Sequence, residues 1–510
     1  MGKLLYIAPA PAYVSHALAQ DARGERSHKK AKGMALPSKR LLRIYEHSPA
    51  FLQNILSSGF GVVKWLDERG GLFQRLYREL EEAQWWSVER LRERQLERLR
   101  AMLRFAQEHV PFYRKCFAEW GVSWEQVHSV ADLRRFPIIT REDVHGCRRE
   151  MIADLAPRSK VLAQTSSGTT GTPIEVLCDR KTYLADKAWA ARQRTWGGYD
   201  GRSWRATFNG HKIVPIGWDK PPFWRYNLPW RQMHFSVFHM GERQLPFYVS
   251  ALRAAKVRFI EGHASAIYIL ARYLNATGLT LPMKAVLTSS EPLHDVYRET
   301  MEKAFACKIF DYYGLTEKVV AAGECERHSG FHVAMEHVVA EVVPFENGRK
   351  GHAGAAGELI GTSLVNTVMP LIRYQTGDVL DPSPGECPCG RGLETIGRAR
   401  SRSMSIIVCP DGRYLPPTVI LTPLRSISTI HESQIVQEEP ARVVVRVVRR
   451  PHYSREDEAR LLEGFRERLG PTMTVRIEYA QEIRRTAAGK FPLVVSRVSS
   501  DLLGAWNGAA

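Results

Sequence analysis

The sequence predicts an α/β fold: a large N-terminal domain of mixed and parallel sheets flanked by helices, then a small C-terminal α/β domain. Three observations predict it. Between about residues 255 and 317, short apolar, β-branched runs alternate with amphipathic stretches, the pattern of a parallel sheet with right-handed crossovers. Residues 357–400 hold short strand-like runs broken by Gly and Pro. From about Gly397 a further strand, helix and strand follow. The chain has 510 residues, 44% hydrophobic and 25% charged, which suits a globular protein of several domains with a sizeable core. The expected boundaries are a poorly ordered basic leader over 1–40, a large domain over 41–396 and a small one over 397–510.

In the leader, residues 4–7 are too short for a signal-peptide core, and Pro9 and Pro11 interrupt its extension. Tyr6 stands where a myristoylation signal needs Ser or Thr. Residues 23–32 are basic and polar, as in a disordered arm, and Met34 is an alternative start. Residues 41–150 read as mostly helical. Ser87 can cap a helix whose apolar stripe is Val88, Leu91, Leu99, Met102 and Ala106, ending at Pro111. Residues 137–140 precede another capped turn.

Strand-like runs at 160–164 and 174–178 flank Thr165, Ser166, Ser167, Gly168, Thr169, Thr170, Gly171 and Thr172. Every position of that stretch is a hydroxyl residue or glycine. Glycine lets backbone approach a ligand, and hydroxyls and bare N–H groups then hold an anion. The stretch is a hairpin tip rather than a Walker loop, because no Gly-Lys-[Ser/Thr] and no following helix N-terminus are present. Residues 180–250 carry Trp189, Trp196, Trp204, Trp218, Trp224 and Trp230, which fit either the walls of a small-molecule pocket or an aromatic core.

The alternating region places strands at 257–260, 284–287 and 308–311, with helices at 264–275, near Pro292 and from Leu315 onward. Ligands on such sheets bind beyond the carboxyl ends of the strands. Two stretches lie there. One contains Thr288, Ser289, Ser290 and Glu291; the other runs from Asp311 through Tyr312, Tyr313, Gly314 and Thr316 to Glu317. Glu317 can hold Mg²⁺ bridging phosphates, and Tyr312 or Tyr313 can stack on a purine. Asp378 follows Gly377 in a Thr-Gly-Asp turn and can accept both hydroxyls of a ribose. At the C-terminus, strands at 441–448 and 473–479 bracket an amphipathic helix at 454–469. A Gly489-Lys490 tip follows, whose Lys can reach a reacting phosphate.

The net charge is +18, from 72 basic and 54 acidic residues. Nucleic acid, a membrane surface or an anionic substrate would each match it. Much of the charge is Arg spread over helices such as 89–104, a solvated-face pattern that argues against a nucleic-acid partner. No run is long and apolar enough for a transmembrane helix. The eight cysteines are no disulfide framework in a chain of this length. Cys325, Cys387 and Cys389 with His332, or with His328 in its place, suit a closed, structural Cys₃His zinc site. Reduced thiols point to the cytoplasm; a dimer is compatible with the sequence, which leaves the oligomeric state open.

Taken together, the stretch at 165–172, the Tyr-Gly-Leu-Thr-Glu run at 313–317, Asp378 in its turn, Gly397-Arg398 and Gly489-Lys490 resemble the core motifs of the adenylate-forming superfamily, over about residues 90–495. Ser-Ser-Glu-Pro ending at Pro292, Val-Pro-Phe-Tyr ending at Tyr113 and the Cys387–Arg391 run look most like the phenylacetate–CoA ligase and CapK branch. The resemblance implies a small barrel-like region in the large domain and a mobile small domain that rotates between half-reactions. It also implies an activity: a carboxylic acid attacks the α-phosphate of Mg-ATP, giving acyl-adenylate and pyrophosphate, and an acceptor displaces AMP. Coenzyme A is the expected acceptor, with an amine or a carrier-protein thiol as alternatives. A catalytically silent zinc-containing relative that binds anionic partners is the reading from another class. By motif, 165–172 would hold phosphates and 312–314 the adenine. Thr316 and Glu317 would serve the α-phosphate and metal, Asp378 and Arg398 the ribose, and Lys490 the transition state. Ser401 stands where the family carries an acidic hinge residue. The aromatic content of 180–250 suggests an aryl or arylalkyl acid.

Overall fold

The structure is a computed structural model that describes residues 44–156, 161–165, 174–344, 357–400, 406–425, 427, 429–483 and 493–498. The helical N-terminal part comprises α1 (Ala50–Arg69), α2 (Gly71–Ala83), α3 (Val88–His109), α4 (Pro111–Trp120) and α5 (Arg141–Gly146). Ser87 caps α3, accepting from the Arg90 N–H. Helix α3 ends at His109, just before Pro111, as expected. Val110 turns extended and Pro111 opens α4 as its first residue, where a missing N–H costs nothing. Thr140 caps α5 in a reciprocal box with Asp143.

Strands β1 (Leu162–Thr165) and β2 (Glu175–Cys178) form the expected antiparallel hairpin, with Thr165 opposite Glu175. Helix α6 (Arg180–Trp196) follows and is buried along most of its length. The chain then enters its main sheet through β3 (Arg205–Asn209), β4 (Trp224–Asn227) and β5 (Gln232–Ser236), passes α7 (Leu245–Ala254), and continues as β6 (Phe259–His263), α8 (Ala264–Ala276), β7 (Ala285–Ser289), α9 (Asp295–Phe305) and β8 (Ile309–Gly314). Strands β9 (Ala321–Gly323), β10 (Phe331–Val333) and β14 (Thr395–Ile396) complete nine strands in the order β14-β10-β9-β8-β7-β6-β3-β5-β4. The run β8-β7-β6-β3-β5 is parallel, as the alternation predicts. Its two faces are buried in different clusters. Ile260, Val286 and Ile309 join one, and Phe259, Ala285, Leu287 and Phe310 the other. This explains why these strands read as continuous apolar runs.

The helix expected from Leu315 is not there. The chain turns at Lys318, whose φ is 60°, and returns as β9 antiparallel to β8. Val319 and Val320 are β-branched and fully buried, so extended backbone and core packing outweigh the weak helical pattern.

Strands β11 (Val338–Pro344), β12 (Gly357–Ser363), β13 (Tyr374–Leu380) and β15 (Ala399–Arg400) form a four-stranded antiparallel sheet in that order. No strand among the described residues closes it into a barrel. Ala399 and Arg400, on the far side of the expected 396/397 boundary, still pair with β13. Beyond them lies a hairpin of β16 (Ile407–Val408) and β17 (Tyr414–Leu415), then β18 (Ile430–Glu439), β19 (Arg442–Arg449), α10 (Arg455–Leu469), β20 (Thr474–Tyr479) and β21 (Val494–Ser496). These last four strands make a separate sheet, β20-β19-β18-β21. Leu461, Phe465 and Leu469 of α10 supply its core at intervals of four residues, one stripe of the helix. No helix among the described residues is long and apolar enough to cross a membrane.

Candidate active site

The motifs converge where β8 ends. Successive side chains of a strand point to opposite faces, and this separates the two tyrosines. Tyr313 faces the four-stranded sheet and donates its hydroxyl to Asp378 Oδ2 at 2.7 Å. Tyr312 faces the other way, edge-on to Trp189 with ring centroids 6.0 Å apart. Asp378 follows Gly377, whose φ of 73° suits glycine, and its N–H donates to Thr376 Oγ1. Gly314 is required as well: a Cβ there would meet the Tyr312 ring at 2.6 Å.

Thr316 and Glu317 are buried beside this pair. Burial pushes the Glu317 carboxyl above its usual range and Asp378 adds to the rise, against the attraction of Arg141 and Lys318. Lys318 itself pairs with Asp186 at 2.8 Å. Arg141 acts on both Glu317 and Tyr374. Neither Arg141 nor the Asp186–Lys318 pair is singled out by the sequence reading. Position 141 reads only as the first residue of a capped turn, and Asp186 lies inside a helix far away in the chain.

Other expected residues lie apart from that centre. Arg398 pairs with Asp295 at the start of α9 rather than with Asp378. Ser290 has a φ of 67° at the end of β7. Glu291 accepts from the N–H and hydroxyl of Ser265, at 2.9 and 2.6 Å, so its carboxylate satisfies the N-terminal turn of α8. Thr165 ends β1. Ser166 to Thr172, Ser401 and Lys490 lie outside the described residues.

A small, partly open cleft adjoins Tyr312 at the carboxyl ends of the parallel strands. Its walls include Gln193 and Arg194 of α6, Asn209 of β3, Glu261 and Gly262 of β6, and Thr288 and Ser289 of β7. Gly262 is obligatory, because a Cβ there would meet the Phe208 carbonyl oxygen at 2.2 Å. Thr288 donates to Asp311 Oδ1 at 2.6 Å, and burial together with Glu324 raises the Asp311 carboxyl to about 7. The aromatic residues of 180–250 are largely core. Phe208, Phe235 and Tyr248 pack on one another, and Trp189 on Trp196. Among the described residues, Tyr312 is the one aromatic side chain on the cleft wall.

A separate feature is a thiol–imidazole cluster. The ligand atoms of Cys325, His332, Cys387 and Cys389 lie within 4.8 Å of one another. Cys325 and Cys387 sulfurs are 3.6 Å apart, and His332 Nε2 is 3.4 Å from Cys389 Sγ. A tetrahedron built on Zn–S of about 2.3 Å and Zn–N of about 2.0 Å has edges of roughly 3.5–3.8 Å, so the donor set fits zinc. His332 Nδ1 lies 3.2 Å from the Leu393 carbonyl, which selects the tautomer leaving Nε2 as ligand. Burial drives His332 down to about 4, so it is neutral, as a ligand must be. Burial raises the Cys389 thiol, but bonds from Arg391 and Cys387 outweigh it and hold it low. His328 turns away, 3.6 Å from Glu324 and against the Phe310 ring. Of the two candidate histidines, His332 is therefore the one in the cluster.

Comparison with known proteins places this architecture. Residues 407–497 match the family model described as the CapK C-terminal domain. The protein CapK of Staphylococcus aureus is 25% identical over 464 residues, covering 89% of this chain and 99% of that protein. A phenylacetate–coenzyme A ligase of Pseudomonas putida is 28% identical over 344 residues, covering 65% of this chain and 75% of its own length. Among solved structures, a 2-hydroxyisobutyryl-CoA ligase with 2-HIB-AMP and CoA, in the thioesterification state, superposes with a TM-score of 0.52 at 20% identity, covering 84% of this chain and 94% of that one. The chain is thus a homologue of CapK and of the phenylacetate–coenzyme A ligases, built on the fold of the adenylate-forming CoA ligases.

Proposed function

We propose that this protein is an ATP-dependent acid ligase. A carboxylic acid is activated as its acyl-adenylate with release of pyrophosphate, and the acyl group then passes to the thiol of coenzyme A with release of AMP. The observation that carries this reading is the Tyr313–Asp378 hydrogen bond. It joins two motifs 65 residues apart at the carboxyl end of β8, with buried Glu317 alongside. In this arrangement Asp378 accepts from the ribose hydroxyls and Tyr313 orients it. Thr316 hydrogen-bonds the α-phosphate, and the hairpin tip after Thr165 holds the outer phosphates.

Burial disfavours the Glu317 carboxylate and a nearby dication favours it, so Glu317 is a suitable ligand for Mg²⁺. When bound, that ion neutralises phosphate charge. Lys490 approaches from the small domain, 397–510, which swings against the large domain, 41–396. The cluster of Cys325, His332, Cys387 and Cys389 holds a structural zinc that pins the loop around Cys387 beneath β10. ATP use and reduced thiols favour a cytoplasmic setting.

The deciding experiment is carboxylate-dependent ATP–pyrophosphate exchange over a panel of acids, followed by coenzyme A, amines or carrier protein as acceptors. Acid-dependent exchange and a CoA thioester are expected. Folded protein that neither exchanges nor binds ATP would leave the silent-relative reading. Tyr313→Phe removes one bond to a charged carboxylate, worth about 1.5–3 kcal/mol, and is expected to raise KM for ATP roughly tenfold with a smaller change in kcat. An unchanged KM would separate Asp378 from the nucleotide. For the zinc, elemental analysis is expected to find one ion per chain. Chelation under denaturant should lower the melting temperature by several degrees, and Cys387→Ser should reduce the metal content. Metal-free protein of unchanged stability would refute the site.

A further inference from the structure

The cleft beside Tyr312 is polar at its far end. It crosses four neighbouring strands, β8, β7, β6 and β3. At about 4.8 Å per strand, the backbones at Tyr312 and Asn209 stand roughly 14 Å apart, and their side chains take up part of that span. Asn209 therefore stands at the end remote from the nucleotide motifs. It is only 7% exposed, and its Nδ2 donates to no acceptor among the described residues. A buried donor left without an acceptor costs about 1–3 kcal/mol, so such a group on a cleft wall calls for an acceptor from the ligand.

The surroundings have the same character. Glu261 accepts from Arg194 Nε at 2.9 Å. The Nε of Arg205 lies 3.2 Å from its other oxygen, in ionic contact without hydrogen-bond alignment. Arg194 and Arg205 thus both engage Glu261, the buried Glu68 acts on both guanidiniums as well, and of these groups Arg194 and Glu261 line the cleft. Glu261 is also met by Thr207 Oγ1 at 3.3 Å, so it has little need of a ligand donor. A phenyl or alkyl tail in this position would leave Asn209 unsatisfied and desolvate the ionic cluster without return.

We propose that the acid taken by this site carries an oxygen acceptor at the end remote from the activated carboxylate, and that Asn209 is the residue that selects it. The proposal rests on the ligase reading above. It replaces an aryl or arylalkyl tail with a hydroxylated, keto or second-carboxylate tail. A site built to hydrogen-bond a substrate oxygen rejects the analogue lacking it far more strongly than an apolar pocket rejects an extra methylene.

The test uses the full chain and three six-carbon acids, hexanoate, 6-hydroxyhexanoate and adipate, with phenylacetate as the aryl reference. Exchange is measured as kcat/KM for each. At least a tenfold preference for one or both oxygenated acids over hexanoate and phenylacetate is expected. Preference for 6-hydroxyhexanoate identifies a neutral acceptor, and preference for adipate an anionic one. In Asn209→Leu that preference should collapse, and Asn209→Ser, a smaller polar substitute, should restore part of it. Should the Leu variant fail to fold, the wild-type ratio and the Ser variant still decide. Equal or better use of hexanoate or phenylacetate by the wild type would overturn the proposal while leaving the ligase reading intact. No exchange with any acid would overturn both.

Discussion

Lys490→Ala should lower acid-dependent ATP–pyrophosphate exchange by about 10²–10³, the usual loss when one pre-placed group that stabilises developing charge is removed. The cations expected or found around the site already have partners. Lys318 is engaged by Asp186, Arg398 by Asp295, and Arg141 acts on Glu317 and Tyr374. Attack on the α-phosphate builds negative charge on its oxygens, and in the proposed mechanism a cation from the small domain supplies the missing compensation. The strand that follows the Lys490 tip is β21, anchored in parallel on β18 with Ile435 opposite Val494, so substitution at the tip should leave the melting temperature unchanged. The half-reactions separate the roles. Thioester formation from supplied acyl-adenylate should persist in the variant, since the charge Lys490 meets arises during adenylation. Equal loss in both half-reactions would assign Lys490 a structural part, and an unchanged exchange rate would remove it from the reacting phosphate.

Arg192→Ala should be the most damaging single change to stability, at about 3–5 kcal/mol. Arg192 and Glu336 are 0% and 2% exposed. The guanidinium donates to both Glu336 oxygens, at 2.6 and 3.3 Å, and to the Leu80 carbonyl at 2.7 Å. It also sits 4.9 Å from the Trp189 ring centroid. One side chain thereby joins α2, α6 and the segment entering β11. Truncation leaves a buried carboxylate without its counter-charge. In the intact protein burial raises the Glu336 carboxyl, but Arg192 outweighs this and holds it low. A carboxyl with a depressed folded pKa stabilises above its unfolded value, near 4.3, and that contribution disappears on acidification. In the variant the sign reverses. The folded pKa then lies above the unfolded one, so the variant loses stability as pH rises from about 4 toward neutrality. Denaturant titrations of both proteins at pH 5 and pH 8 should therefore show the larger gap at pH 8. A gap independent of pH would mean that lost packing, rather than the stranded charge, accounts for the effect. Replacing Arg192 and Glu336 together by apolar residues should recover much of the loss.

Much of this protein is legible in its residues alone. The parallel run from β6 to β8 follows from apolar alternation, because strands buried on both faces must be apolar throughout. The hairpin around the Thr165 stretch and the caps at Ser87 and Thr140 follow from local backbone chemistry. The motifs at 313–317 and 378 stand out by their residues, and the structure joins them through Tyr313 and Asp378. Tertiary structure alone decided the rest, because those choices turn on partners distant in the chain. Strand pleat sends Tyr313 to Asp378 and Tyr312 to the cleft. Packing of Val319 and Val320 turns an expected helix into a returning strand. Glu324 and Phe310 draw His328 away, while the Leu393 carbonyl orients His332 toward the thiols. Tryptophans that fitted either a pocket wall or an aromatic core pack on other rings, since mutual burial of large rings removes more apolar surface from water than lining a cleft. A buried Asn209 without an acceptor is invisible in sequence, because whether a polar group is satisfied depends on every atom around it and not on its neighbours in the chain.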